Sequence, residues 1–333
     1  MLSFGVCFIP LPPVREVVEM TELAEDCGFD YAWLFDSPVI WQEIYSILGV
    51  MAASTTTIKM GPCVTNPATR DLTVTASALA TLNEISGGRI HCGIGRGDSA
   101  RRVAGKNPVT VAELEHSIEA IRALTSGQEI VHDGVPAQLK WTQGPPTPIW
   151  VSAYGPKVLE AAGRIADGVI LQPADLEVME WSMGHVFAGA KAAGRSREDI
   201  QVMCASAACV TDDMAYAHKQ LRWWPAMLSN HAKSVVSRYP ASEVPSVFLE
   251  YIPAGESYDY QAHGHKDATH NAFVTDEIIE RFSLVGPPEK CIAKLRQLEA
   301  LGVHQFNIFT NGWDEAEGLI RTFGKDIIPA FRP

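Results

Sequence analysis

The sequence has no run of 18 apolar residues, so no spanning helix is expected. Its first residues, MLSFGVCFIPLPP, lack the basic start and long apolar stretch of a secretory leader, and the expected location is the cytoplasm. Positive charge is in short supply: 27 Lys and Arg face 39 Asp and Glu, a formal net charge of −12. Without a basic field to attract phosphates, neither nucleic acid nor an anionic membrane surface is an expected partner. No pair of the seven cysteines has CxxC spacing, which leaves no zinc ribbon or redox motif. Cys7, Cys27, Cys63, Cys92, Cys204, Cys209 and Cys291 are odd in number, scattered and mostly inside apolar runs, as buried free thiols are. A GxxxxGK[ST] phosphate loop is also missing.

What is present is an alternation. Apolar runs at 3–9, 31–35, 58–65, 89–94, 149–153, 168–171, 201–210 and 304–309 read as eight strands. Segments at 14–27, 44–53, 69–85, 111–124, 157–166, 176–193, 211–238 and 287–301 carry helical spacing, with a last helix running to about residue 323. Residues 127–147 are rich in turn formers and suggest a short hairpin, and 239–274 read as an irregular insertion or lid. Strands that alternate with helices require a parallel sheet, because each return needs a crossover. Eight such units close into a (β/α)8 TIM barrel, an α/β fold, with insertions, and no composition break divides residues 1–333.

In a barrel the reactive face lies at the C-terminal strand ends. The residues there are Pro10 to Pro12, Asp36-Ser37, Thr65-Asn66-Pro67, Gly95-Arg96-Gly97-Asp98, Tyr154-Gly155, Gln172-Pro173 and Thr310-Asn311-Gly312. Gly93-Ile94-Gly95-Arg96-Gly97-Asp98 fails the GxGxxG dinucleotide spacing at its sixth place; it marks close ligand approach or close packing. At Ala153-Tyr154-Gly155-Pro156-Lys157 a strand ends and Pro156 opens a helix, an arrangement suited to an anion. His263 and His265 lie in a polar loop without a third ligand at metal-site spacing, so no metal is expected. Trp223-Trp224-Pro225 read as a helix bend and packing.

Val64 to Arg70, Ala78 to Arg89, Gly93 to Asp98, Trp150 to Gly168 and Leu284 to Leu295 together resemble the luciferase-like flavin and deazaflavin oxidoreductases, and among them the methylenetetrahydromethanopterin reductase branch that uses coenzyme F420. The resemblance implies a barrel that moves hydride between reduced deazaflavin and a small organic acceptor. Asp36 matches an acidic position beside the reactive carbon of the coenzyme, and Asp98 one that faces the substrate or the ring. Cys63-Val64 matches a bulge, often with a non-prolyl cis peptide, that backs the ring; Thr65 and Asn66 follow into the ring pocket. Ala153, Tyr154 and Gly155 match the turn that holds the coenzyme phosphate. Trp41, Glu43 and Tyr45 are candidates for the substrate face, and Tyr258, Tyr260 and His263 for a lid. Two positions depart from many relatives: Ser37 stands where they have His, and Tyr154 where they have Gly. The first leaves proton transfer to Asp36 or Asp98. A homodimer is expected. The alternatives are an FMN-dependent monooxygenase with a partner reductase, and a non-catalytic flavin-binding barrel.

Overall fold

The computed structural model describes residues 1–142, 144–251, 271–310 and 313–332. Eight parallel strands form the inner layer: β1 (Ser3–Phe8), β2 (Tyr31–Leu34), β3 (Lys59–Pro62), β4 (Cys92–Ile94), β7 (Ile149–Ser152), β8 (Gly168–Leu171), β9 (Gln201–Val210) and β11 (Gln305–Phe309). Their order is β3-β2-β1-β11-β9-β8-β7-β4. The bridges Met60–Ile90 and Thr65–Ile94 bring β4 back beside β3, so the ring closes there without a continuous ladder. A two-stranded hairpin, β5 (Ile130–His132) with β6 (Val135–Ala137), stands apart, as the turn-rich composition predicts.

The helices lie outside the ring: α1 (Val14–Asp26), α2 (Ile44–Ser54), α3 (Leu72–Ser86), α4 (Ser99–Arg102), α5 (Val111–Thr125), α6 (Pro156–Ile165), α7 (Leu176–Ala192), α8 (Met214–Leu221), α9 (Trp223–Val236), α10 (Ser246–Tyr251), α11 (Asp276–Phe282), α12 (Pro288–Leu301) and α13 (Trp313–Thr322). Helix α1 shows why. Val17, Met20, Thr21 and Ala24 recur at the helical period and bury one face. At the start of α5, Thr110 and Glu113 form a reciprocal capping box that satisfies two backbone donors.

Four sequence expectations change. The helical region 211–238 is two helices, α8 and α9, and Trp223 and Trp224 open the second as buried packing residues. The described part of the insertion contains α10. Residues 276–286 supply a further helix, α11, and a short strand, β10 (Leu284–Gly286), which pairs with β9 beyond the barrel. The expected third strand stops at Pro62, where the backbone changes partner: Cys63 N–H donates to the Leu34 carbonyl on the β2 side, and Thr65 N–H to Gly93 on the β4 side. The lid candidates Tyr258, Tyr260 and His263 lie outside the described residues, as do Asn311 and Gly312.

Large rings fill the barrel interior, and glycines admit them. Tyr31 stacks on Trp33 at 5.6 Å, and Trp150 Nε1 donates to His91 Nδ1 at 3.0 Å. A Cβ at Gly168 would lie 2.3 Å from the Trp150 ring. Packing at this density turns the lower barrel into a solid plug and leaves chemistry to its upper rim.

Candidate active site

Asp36 follows β2 and is buried, and the loop after β3 closes around it. Arg70 Nη1 donates to Asp36 Oδ2 at 2.7 Å and Arg70 Nη2 to Oδ1 at 3.2 Å. The Thr65 hydroxyl donates to Oδ2 at 2.7 Å. Arg70 is itself held from two more sides, by Glu43 Oε1 at 3.1 Å and by the Tyr45 ring 4.6 Å beneath the guanidinium. The Tyr45 hydroxyl reaches Thr65 Oγ1 at 3.4 Å and completes a closed circuit. Burial, then the nearby Cys92 and Asp36, pushes the Tyr45 phenol up, so it serves as a neutral donor. Glu43 also caps α2, accepting from Tyr45 N–H and Ser46 N–H.

Two of the expected substrate-lining residues therefore brace Arg70. Trp41 instead packs on Phe35, 5.1 Å between centroids, and Phe35 stacks in turn on Phe309. Asn66 turns inward on its own loop, its Oδ1 accepting from Ala68 N–H and Thr69 N–H, which shapes the chain that carries Arg70.

The Cys63–Val64 peptide is cis, as the resemblance implies. Val64 rises between two glycines of the next strand. A Cβ at Gly93 would lie 3.2 Å from Val64 Cγ1 and 2.4 Å from the Pro62 carbonyl; one at Gly95 would lie 3.1 Å from Val64 Cγ2. The glycine run thus provides clearance for the Val64 step, the packing reading of that motif. The Cys63 carbonyl accepts from the buried Cys7 thiol at 4.0 Å. Burial pushes the Cys92 thiol up to about 12, so it is an inert wall beneath Asp36.

Asp98 does not share Asp36's partners. Its Oδ1 pairs with Arg102 Nε at 2.5 Å, and its Oδ2 lies 3.8 Å from His231 Nδ1. Asp36 and Asp98 are thus held apart, each by its own cation, Arg70 and Arg102. The two loops do meet: Ser37 Oγ and Ser99 Oγ are 2.9 Å apart. The Tyr154 ring, over the end of β7, stacks on His231 at 4.1 Å and 12°, and its hydroxyl donates to Gln172 Oε1. Gly155 begins α6 without a side-chain cap, and Pro156 follows. Arg96 lies within electrostatic reach of Arg238 and Arg102. An uncapped helix start and a glycine-cleared apolar step fit a planar, phosphate-bearing coenzyme.

A separate cavity of about 310 Å³ opens between α8, α13 and the ends of β9 and β11, lined in part by Cys209, Gln220, Trp223, Phe309 and Glu315. Phe309, on its wall, stacks on Phe35 of the loop that carries Asp36. Among the described residues, Asp71, which directly follows Arg70 and caps α3, could hold a metal ion together with His132 and Asp133 of the outer hairpin.

A family model described as luciferase-like monooxygenase matches residues 5–305. The chain belongs to that family. It is 33% identical to the 5,10-methylenetetrahydromethanopterin reductase of Methanolobus tindarius, over 98% of this chain and 100% of the relative. It is 25% identical to the F420-dependent glucose-6-phosphate dehydrogenase of Amycolatopsis mediterranei, over 96% and 95%. The coenzyme F420-dependent tetrahydromethanopterin reductase of Methanopyrus kandleri superposes with a TM-score of 0.78 at 26% identity, covering 99% of each chain. The barrel agrees with the family in architecture as well as in sequence.

Sequence reasoning missed Arg70 as a partner of Asp36 and did not consider His231. Arg70 lay inside the quoted family stretch, where nothing local marks its target. His231 lies on an ordinary helix and carries no spacing signal at all.

Proposed function

We propose that this chain is an F420-dependent oxidoreductase that moves hydride between reduced deazaflavin and a small organic acceptor. The observation that carries the reading is the end-to-end match, at 33% identity, to a methylenetetrahydromethanopterin reductase. The site supports it with the Val64 step, the buried Asp36 and the open start of α6. When bound, the coenzyme supplies the hydride-carrying carbon. Val64, propped between Gly93 and Gly95, would back its ring; Ala153, Tyr154 and Gly155 would hold its phosphate. Asp36 and Asp98 are the acidic groups of the mouth. A methylene group carried on a tetrahydropterin is the first acceptor to assay, following the name of that relative.

The reading carries a setting with it. The chain would act as one barrel domain, in a cytoplasmic homodimer, on small molecules and without nucleic acid or membrane. No described helix is long and apolar enough to cross a membrane, and all seven cysteines are free thiols.

The test is a pair of titrations of the purified chain, with F420 and with FMN, followed by fluorescence. Micromolar or tighter F420 binding with weaker FMN binding is expected. Tight FMN binding without F420 binding would move the chain to the monooxygenase reading. F420 binding with no hydride transfer to any acceptor would move it to a non-catalytic barrel.

A further inference from the structure

Hydride transfer to a carbonyl or imine leaves an electron pair on oxygen or nitrogen, and a proton must meet it. Asp36 is poorly placed to provide one. Both its oxygens already accept hydrogen bonds, from Arg70 and from Thr65, so it acts here as an acceptor. Ser37, beside it, has no titratable group near neutral pH.

An imidazole reaches the mouth from a different element. His231, on α9, stacks face to face on Tyr154 at 4.1 Å, which fixes the plane of its ring. Its Nδ1 faces Asp98 Oδ2 at 3.8 Å. The Asp98 loop is joined to the Asp36 loop by the Ser37–Ser99 contact of 2.9 Å, which links His231, through Asp98, to the loop that carries Asp36. Of the histidines in the described residues, it is the one that contacts a carboxylate of this mouth. Among the described residues, the groups that face it are Asp98 from the loop after β4, Arg102 from α4 and Tyr154 from the end of β7.

We infer that His231 is the proton-transferring residue of this oxidoreductase, and that Asp98 is its positioning partner. The inference rests on the F420 reading. In the reducing direction the hydride forms a C–H bond with its own electron pair while the C=O or C=N π bond breaks. That π pair takes the proton from an imidazolium nitrogen, whose N–H pair stays on the ring, and solvent reprotonates the imidazole. In the oxidising direction the neutral imidazole removes the O–H or N–H proton as hydride leaves carbon. The substrate class is one whose reduction places a proton on oxygen or nitrogen.

Burial draws the His231 pKa below the ordinary value, and Asp98 opposes that fall. The reducing rate should therefore decline as pH rises through a pKa below about 6.5, and the oxidising rate should rise there. His231→Phe keeps a flat ring on Tyr154 and removes the proton; His231→Gln is the second variant should Phe not fold. Each should lower turnover about 10²-fold or more and erase both pH limbs, with F420 affinity changed only a few-fold. Asp98→Asn should keep the limbs and move them to lower pH. His231→Phe with near wild-type turnover and intact limbs, in a protein that binds F420, overturns the assignment alone. A wild-type chain that binds no F420 overturns the coenzyme reading, and this inference with it.

Discussion

Arg70 grips Asp36 with both terminal nitrogens of its guanidinium, at 2.7 and 3.2 Å, and the two residues lie 34 positions apart in the chain. Asp36 is fully shielded and Arg70 nearly so, with side-chain exposures of 0% and 17%. A buried ion pair gains little over an apolar pair, but loss of one partner strands the other charge. Arg70→Met should therefore cost about 3–5 kcal/mol in urea unfolding. Arg70→Lys, which keeps the charge and loses the fork, should fall between. A cost below about 1 kcal/mol for Arg70→Met, the scale of an exposed pair, would show that the circuit around Asp36 does not hold.

Val64 and Gly95 form a second dependence. Gly95→Ala places a methyl 3.1 Å from Val64 Cγ2, and overpacking of this kind costs roughly 1–3 kcal/mol. F420 should bind more weakly, because the step proposed to back its ring has moved. Val64→Ala should relieve the crowding, so the double variant should be less unstable than the two single costs added. Gly184→Ala is the control: nothing lies within 4 Å of its added methyl. Strict additivity at Val64 and Gly95 in calorimetry would contradict the contact.

His91 sets an acid limit on stability. It is held inside the barrel as an acceptor for Trp150 Nε1, and burial pulls its pKa down to about 4. The unfolded chain, with a pKa near 6.5, takes up a proton that the folded state refuses. Stability from this group is thus complete above about pH 6.5 and is lost as pH falls toward 4, by roughly 3 kcal/mol. Urea midpoints measured from pH 7 to pH 4 should fall. The slope should be shallower in His91→Gln, and an unchanged slope would remove His91 from the effect.

Arg89 closes the end of α2. Its guanidinium donates to the carbonyls of Ala52, Thr55, Ile58 and Ser86 and to the Thr55 hydroxyl, at 2.8–2.9 Å. These include carbonyls that a helix end leaves without partners. Lysine cannot present a planar fork to five acceptors, so Arg89→Lys should cost at least about 2 kcal/mol of thermal stability. It should leave F420 affinity intact, because Arg89 precedes β4 at the opposite end from the mouth. A melting temperature equal to wild type would show that water satisfies those carbonyls equally well.

The order of the eight barrel strands and most of the helices between them could be read from the chain alone. Alternating apolar runs and helical spacing are relations between near neighbours, and neighbours are what a sequence displays. The same holds for the glycine run at 93–97 and the turn at 153–157, which mark where backbone must pass close to something. The resemblance to the luciferase-like family added the cis step at Cys63–Val64, which the structure contains. The three-residue strand β10 and its helix α11 escaped notice, because an element that short has too few periods to register and is fixed by its pairing with β9. The partners of the acidic residues were decided by tertiary structure. Whether Asp36 meets Asp98 or Arg70, and whether an imidazole from α9 reaches Asp98, depends on which loops the closed barrel brings to one rim. Coulomb attraction and hydrogen bonding act through space over a few ångströms, and no local pattern along the chain records them.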